Sequence, residues 1–430
     1  MAIDESGNHR GALHVDHRLS KAVPDHPVHA VGLHGFATWN NRRALKAAGI
    51  DRTTKTPVGG RILKDAQGEP TGVLLNNASD LFDPIIPPPT DADWQTYAVV
   101  GLSHMAKLGF VAVHEAGVDA HHLRALEGLA SSGRMPIRLY AMLSARDAPL
   151  MRRWISKGPD RTIDGMLMVR AVKAYYDGSL GARGARLLAD YSDRPGHRGV
   201  SGDGYGFDKA LVLSAIGAGF QVGIHAIGDA GNRETLDFIE GAYRRFPSAH
   251  ANRHRIEHAQ LVHPDDQPRF AALGVIASME PPHAVEDMAW AEQRIGAKRA
   301  AYGYAWRSLR QQKARVVFNS DMAGSDPDIF YGLHAAITRR NKQRQPPEGW
   351  FAEQALSPEE ALRAYTTWNA YAMFAEDRTG TLAKGRWADL TIMNIDPLQV
   401  GTQRPAALLD GRILMTIVAG KVAYDNMGRK

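Results

Sequence analysis

No cysteine occurs among the 430 residues. Disulfides, thiolate metal sites and cysteine nucleophiles are thereby excluded, although cytosolic and exported proteins alike can lack cysteine. No apolar run approaches the ~18 residues of a membrane span. The start, Met1-Ala2-Ile3-Asp4-Glu5-Ser6, has no basic-then-apolar signal pattern. These absences point to a soluble, cytoplasmic protein. A basic stripe interleaved with aromatics is also missing. The net charge is +6, but pairs such as Arg42-Arg43, Arg244-Arg245 and Arg339-Arg340 are scattered with acids close by. A solvated surface fits that pattern better than a nucleic-acid face. The expected partner is a small-molecule substrate, with neither nucleic acid nor membrane, and a homodimer is the expected assembly.

What is present reads as globular: hydrophobic residues make up 44% and charged residues 23%, which argues against wholesale disorder. The 42 glycines exceed the usual share of about 7% and suit many tight strand–helix junctions. Residues 1–90 read as a loop-rich segment and insertion ending in Pro87-Pro88-Pro89. Residues 91–378 then alternate short apolar runs with helical patterns, the mark of repeated βα units on a parallel sheet. The expected strands are Phe110–His114, Ile137–Leu143, Val169–Tyr175, Gln221–His225, Arg255–His258, Val275–Met279 and Arg315–Asn319. Amphipathic segments lie between them, one with Leu236, Ile239 and Tyr243 on one face, another with Ile329, Leu333 and Ile337. Ser357-Pro358-Glu359-Glu360 is a helix start with a serine cap, a first-turn proline and a glutamate three residues on. The spacing fits a (βα)8 barrel, but seven strands can be counted where eight are needed. Residues 379–430 change to short β-rich runs, Ala388–Ile395 and Ile413–Tyr424, which read as part of a small β domain.

Barrel enzymes gather their chemistry at the C-terminal ends of the strands. His225 ends one strand, on the opposite face from Phe220, Val222 and Ile224. His258 ends the next. Either alone is as well explained as a hydrogen-bonded core histidine, but two on consecutive strands are neighbours, and neutral imidazoles bind zinc and similar ions. Asp321 follows the last apolar strand, as a ligand or base rather than a helix cap, since Ser325 and Asp326 offer alternative caps. Lys173 lies mid-strand and needs a partner, a modification or a route to solvent, because an uncompensated buried cation is costly. Asp177, of the same parity, is the plain candidate for a counter-ion. His114 and Glu115 end an earlier strand, as ligand, supporting group or bland rim residues. Arg183 and Asp229 lie in loops after site-bearing strands, where they either contact substrate or form salt bridges. Glu280-Pro281-Pro282-His283 either lines the pocket or forms a rigid turn.

Several ordered strings now coincide. Lys173-x-x-x-Asp177-Gly178-Ser179-Leu180-Gly181-Ala182-Arg183, His225-Ala226-Ile227-Gly228-Asp229, Arg255-Ile256-Glu257-His258-Ala259-Gln260 and Ser320-Asp321 resemble the amidohydrolase superfamily, in particular its YtcJ-like, amidohydrolase-3 metal-dependent hydrolases. Pro27-Val28 through Gly35 to Asn41, with Ala44-Leu45 and Ala48-Gly49-Ile50, is similar to that group's segment after its first barrel strand. Gly380-Thr381-Leu382-Ala383-Lys384-Gly385-Arg386-Trp387-Ala388-Asp389-Leu390 is similar to the entry into its C-terminal β-sandwich. The resemblance runs over residues 20–425.

It implies a metal-dependent hydrolase barrel with a composite β-sandwich and one or two divalent ions, often zinc. By the same resemblance Lys173 is carboxylated, His225 and His258 are ligands, and Asp321 is both ligand and proton shuttle. Arg183, Asp229, His283 and Glu115 are then candidates for substrate contact. The expected reaction is hydrolysis of an amide or related non-peptide carbon–nitrogen bond. One departure stands out: the group carries a His-x-His pair on its first strand, and this sequence has none. His14-Val15-Asp16-His17 has two intervening residues, which on a strand point to opposite faces. The missing pair, the eighth strand and half of the sandwich together imply an absent N-terminal segment of about 100 residues. A degenerate barrel that binds metal or ligand without turnover is the competing expectation. A glycosidase, with Glu115 and Glu257 as its carboxylates, would leave the histidines unexplained.

Overall fold

The computed structural model describes residues 15–32, 37–57, 60–162, 165–200 and 202–428, so His14 and Gly35 lie outside the described residues. The chain forms two compact units, Met1–Thr90 and Asp91–Lys430.

In the first unit, where loops are expected, the described residues form a four-stranded antiparallel sheet. Its strands are β1 (His29–Val31), β2 (Ala37–Asn40), β3 (Gly60–Lys64) and β4 (Pro70–Asn76), in the order β1-β2-β4-β3. Strands of three to seven residues give too few alternations for a period of two to stand out. Their apolar side, with Ile62 and Leu74, packs on Ala44, Leu45 and Phe82. His17 lies in a helix, Val15–Ala22, rather than on a strand.

The second unit holds seven parallel strands in sequence order: β5 (Ala112–Val118), β6 (Arg138–Ser144), β7 (Leu167–Tyr175), β8 (Gln221–Ala226), β9 (Arg255–His258), β10 (Ile276–Met279) and β11 (Arg315–Phe318). All seven expected strands are present, with helices between them, and the sheet is curled. Among the described residues β5 and β11 each have a neighbour on one side only. The largest shift in bounds is at β5, which continues past His114 because a bulge between Ala116 and Val118, around Gly117 at φ +114°, keeps it paired with β6.

Side-chain alternation sorts the two faces as a period of two requires. Phe220, Val222 and Ile224 join the large core formed with the helices, including Leu236, Ile239 and Tyr243 of helix Asp229–Arg245. The inner face carries Tyr140, Met142 and Ala171. There Tyr140 donates its hydroxyl to Gln221 at 3.0 Å. Gly223 leaves room on this face: a Cβ would lie 2.3 Å from Met142 Cε and 2.6 Å from Glu257 Oε1, so both side-chain ends would have to shift. Ser357 caps helix Pro358–Tyr365 in a full capping box with Glu360.

After the sheet come β12 (Leu390–Met393), β13 (Ile413–Val418) and β14 (Lys421–Asp425), a three-stranded antiparallel sheet in that order. It rests against Gly109, where Thr391 donates its hydroxyl to the carbonyl oxygen at 2.7 Å. No helix among the described residues is long and apolar enough to cross a membrane.

Candidate metal and hydrolytic site

The ends of β7, β9, β10 and β11 meet around one cavity of about 1060 Å³, whose walls include Lys173, Glu257, His258, Glu280 and Asp321, while His225, on β8, reaches the site through its contact with His258 rather than as a wall residue. Glu115 also opens onto it. Its tip reaches water, while the protein around it raises its carboxyl above the usual range through desolvation. Residues of both edge strands, such as Ala112 and Phe318, line the same space.

His225 and His258 sit at the ends of adjacent strands with ring centroids 4.5 Å apart and planes at 69°. His225 Nε2 is buried and has no hydrogen-bond partner among the described residues. The nearby Asp177 Oδ1 is 3.6 Å away, beyond hydrogen-bonding reach. Burial, then the neighbouring His258 and Lys173, holds its pKa well below the ordinary value, so the ring is neutral. A buried neutral imidazole with a free nitrogen is a metal donor or a destabilising defect.

His258, His283 and Asp321 come closer still: one ligand atom of each lies within 4.8 Å of the others. His258 Nδ1–H donates to Glu280 Oε2 at 3.1 Å, leaving Nε2 free. His283 places Nδ1 3.3 Å from the same oxygen and Nε2 3.5 Å from Asp321 Oδ2. Burial opposes charge on His283, but the Glu280 hydrogen bond and the Glu280 and Asp321 carboxylates outweigh it and raise its pKa to about 10. Glu280 shows the reverse: burial opposes ionisation, yet His258 and His283 hold its pKa far below the usual carboxylate range. His258 at φ +74° and Asp321 at φ +43° both occupy left-handed backbone. For residues other than glycine this costs on the order of 1–3 kcal/mol and gathers at functional sites.

Lys173 is 4% exposed, and burial lowers its pKa against the pull of Glu257, Asp321 and Glu280. Asp177 is not its counter-ion. That carboxylate accepts the backbone N–H groups of Arg186, Ile227 and Gly228, each at 2.9 Å, and so holds the loops that follow β7 and β8. The chemistry of the donor set fits a divalent cation: an imidazole nitrogen without a partner on His225, a second imidazole on His258, an aspartate at the cavity mouth, and a buried amine whose pKa burial lowers.

The remaining expected residues are held by protein partners. Arg183 makes a two-point pair with Asp193 at 3.1 and 2.8 Å. Asp229 accepts from Leu188 N, Ala230 N and Tyr302 Oη at 2.8, 3.0 and 3.0 Å. His114 contacts Arg255 through Nδ1 at 2.6 Å, and Arg255 pairs with Glu257 at 2.8 Å. Sequence reasoning left Glu280 undecided between pocket and turn and missed Asn319 altogether. The signal for Glu280 was parity with Ser278 at the end of an apolar strand, and the register of β10 with β11 brings Asn319 beside it.

Comparisons with known proteins identify the family. The model of the Amidohydrolase family matches residues 10–424. YtcJ of Bacillus subtilis, named as an amidohydrolase, is 28% identical over 95% of this chain and 76% of its own length. An N-substituted formamide deformylase of Arthrobacter pascens is 25% identical over 96% of this chain and 76% of its own. Among solved structures, a metal-dependent hydrolase from Pyrococcus horikoshii superposes with a TM-score of 0.74 at 27% identity, covering 91% of this chain and 76% of that one. The chain belongs to the amidohydrolase family of hydrolases.

Proposed function

We propose that this chain hydrolyses an amide or related non-peptide carbon–nitrogen bond of a small molecule with the help of a divalent ion, zinc in the first instance. His225, His258 and Asp321 would hold the ion, with Lys173 as a carbamate. A bound ion of this kind polarises a carbonyl oxygen and lowers the pKa of water from 15.7 to about 7. Asp321 accepts the proton that water loses on attacking the carbonyl carbon. It returns that proton to the nitrogen as the carbon–nitrogen bond breaks, so the products are an acid and an amine. Lys173 suits carboxylation because burial favours its neutral amine, the form whose lone pair adds to carbon dioxide with release of a proton. The carbamate would turn an unpaired buried cation into an anionic oxygen donor.

The approach of ligand atoms of His258 and Asp321 to within 4.8 Å, with the His225 ring 4.5 Å from that of His258, carries this reading. Support for the bond type comes from the names of the relatives, an amidohydrolase and a formamide deformylase. The test is metal content by elemental analysis together with turnover on a panel of amides and formamides. Asp321→Asn is expected to lower kcat by about 10²–10⁴-fold. A variant that keeps full turnover contradicts the assignment. The second reading, a metal- or ligand-binding protein without turnover, is favoured by the open edges of β5 and β11. Bound metal with no hydrolysis across the panel would select it.

A further inference from the structure

Glu280 sits at the end of β10, between β9 and β11, 3% exposed, and hydrogen-bonds His258 and Asn319, both of which line the cavity. Its Oε2 lies 3.1 Å from His258 Nδ1 and 3.3 Å from His283 Nδ1. Its Oε1 accepts from Asn319 Nδ2 at 2.6 Å. Asn319 in turn donates to Ser278 Oγ at 3.0 Å and accepts the Asp321 backbone N–H at 2.9 Å. One carboxylate thus connects two imidazoles to the backbone that carries Asp321.

We propose that Glu280 is the positioning residue of the site: a single oxygen engages Nδ1 of both His258 and His283, fixing the two rings, and so places Nε2 of His283 3.5 Å from the Asp321 carboxylate. An ionised carboxylate only accepts, and it offers about four lone-pair directions, so it alone among side chains of this size can serve both rings and Asn319 together. A neutral amide of the same shape must present its NH2 to one of these partners. Loss of such an outer carboxylate behind a ligating histidine typically weakens metal binding 10–100-fold, because ring orientation and ligand basicity both suffer.

This inference rests on the metal reading above, and the two fail separately. Zinc affinity, measured by competition with a chromophoric chelator, and the cobalt(II) absorption spectrum are compared for wild type and Glu280→Gln. The expected result is zinc binding weakened by about 10–100-fold and altered cobalt bands, in a variant that still unfolds cooperatively. Wild type that takes up neither ion refutes the metal reading itself. Wild type and Glu280→Gln with equal affinity and identical cobalt spectra overturn the positioning role alone. If Glu280→Gln does not fold, Asn319→Ser serves instead. It removes the Oε1 donor and the acceptor for Asp321 N–H while leaving both rings in place, and is expected to weaken zinc binding several-fold. Unchanged affinity in that variant equally overturns the proposal.

Discussion

His258 and Asp321 hold left-handed backbone that most side chains avoid, and both end strands at the cavity. Such strain persists where packing over-determines it, and here each residue follows a strand locked into the sheet. A second buried imidazole shows the opposite use of histidine. His254 accepts the Val222 N–H through Nδ1 at 3.1 Å, and burial, with His250 nearby, pushes its pKa down to about 3. Because the folded value lies below the unfolded one of 6.5, the unfolded chain binds the extra proton. Stability from this group is complete above pH 6.5 and is lost as pH falls toward 3, at about 1.4 kcal/mol per pH unit. Urea unfolding between pH 7 and 4 should therefore be less pH-dependent in His254→Gln than in wild type; equal slopes would contradict the assignment. At this scale the sequence was informative where a residue broke a pattern, as with His225 and His258 at apolar strand ends or a lysine inside one. It was silent where proximity came from separate elements, as with His283 beside Asp321.

Arg138 opens β6 and Asp389 precedes β12, and the two form a two-point ion pair at 2.7 and 3.2 Å with side chains 6% and 0% exposed. The guanidinium also stacks 3.8 Å over the Trp387 ring. The pair joins the foot of the parallel sheet to the C-terminal sheet. Removing one partner of such a buried pair leaves the other charge desolvated and costs about 3–5 kcal/mol. Asp389→Asn should lower the unfolding free energy by that amount, seen as a lower denaturant midpoint at unchanged m-value, and a loss under about 1 kcal/mol would mean that water already reaches the pair. Apolar runs set between helical patterns, β6 to β11, were legible within about two residues even where the strand is only four residues long. The β5 bulge was not, since Ala116-Gly117 carries no strand preference. The sheet of β1 to β4 was hidden because glycine, proline and charged residues (Gly60, Arg61, Lys64, Pro70, Gly72) interrupt its apolar runs and no helical pattern spaces them.

For the whole molecule, the order of the parallel strands follows from the succession of βα units, and the count of seven was available before any coordinates. What composition and spacing did not reveal is how the ends of separate strands share one cavity, because that depends on the curl of the sheet. The central claim is that these ends surround a single divalent ion. X-ray absorption of the zinc-loaded chain tests it most directly. The account predicts a shell of nitrogen and oxygen donors at about 2.0–2.2 Å, with imidazole scattering that diminishes in His225→Ala and His258→Ala. A zinc-loaded chain whose shell lacks imidazole, or one unaffected by either substitution, would contradict it.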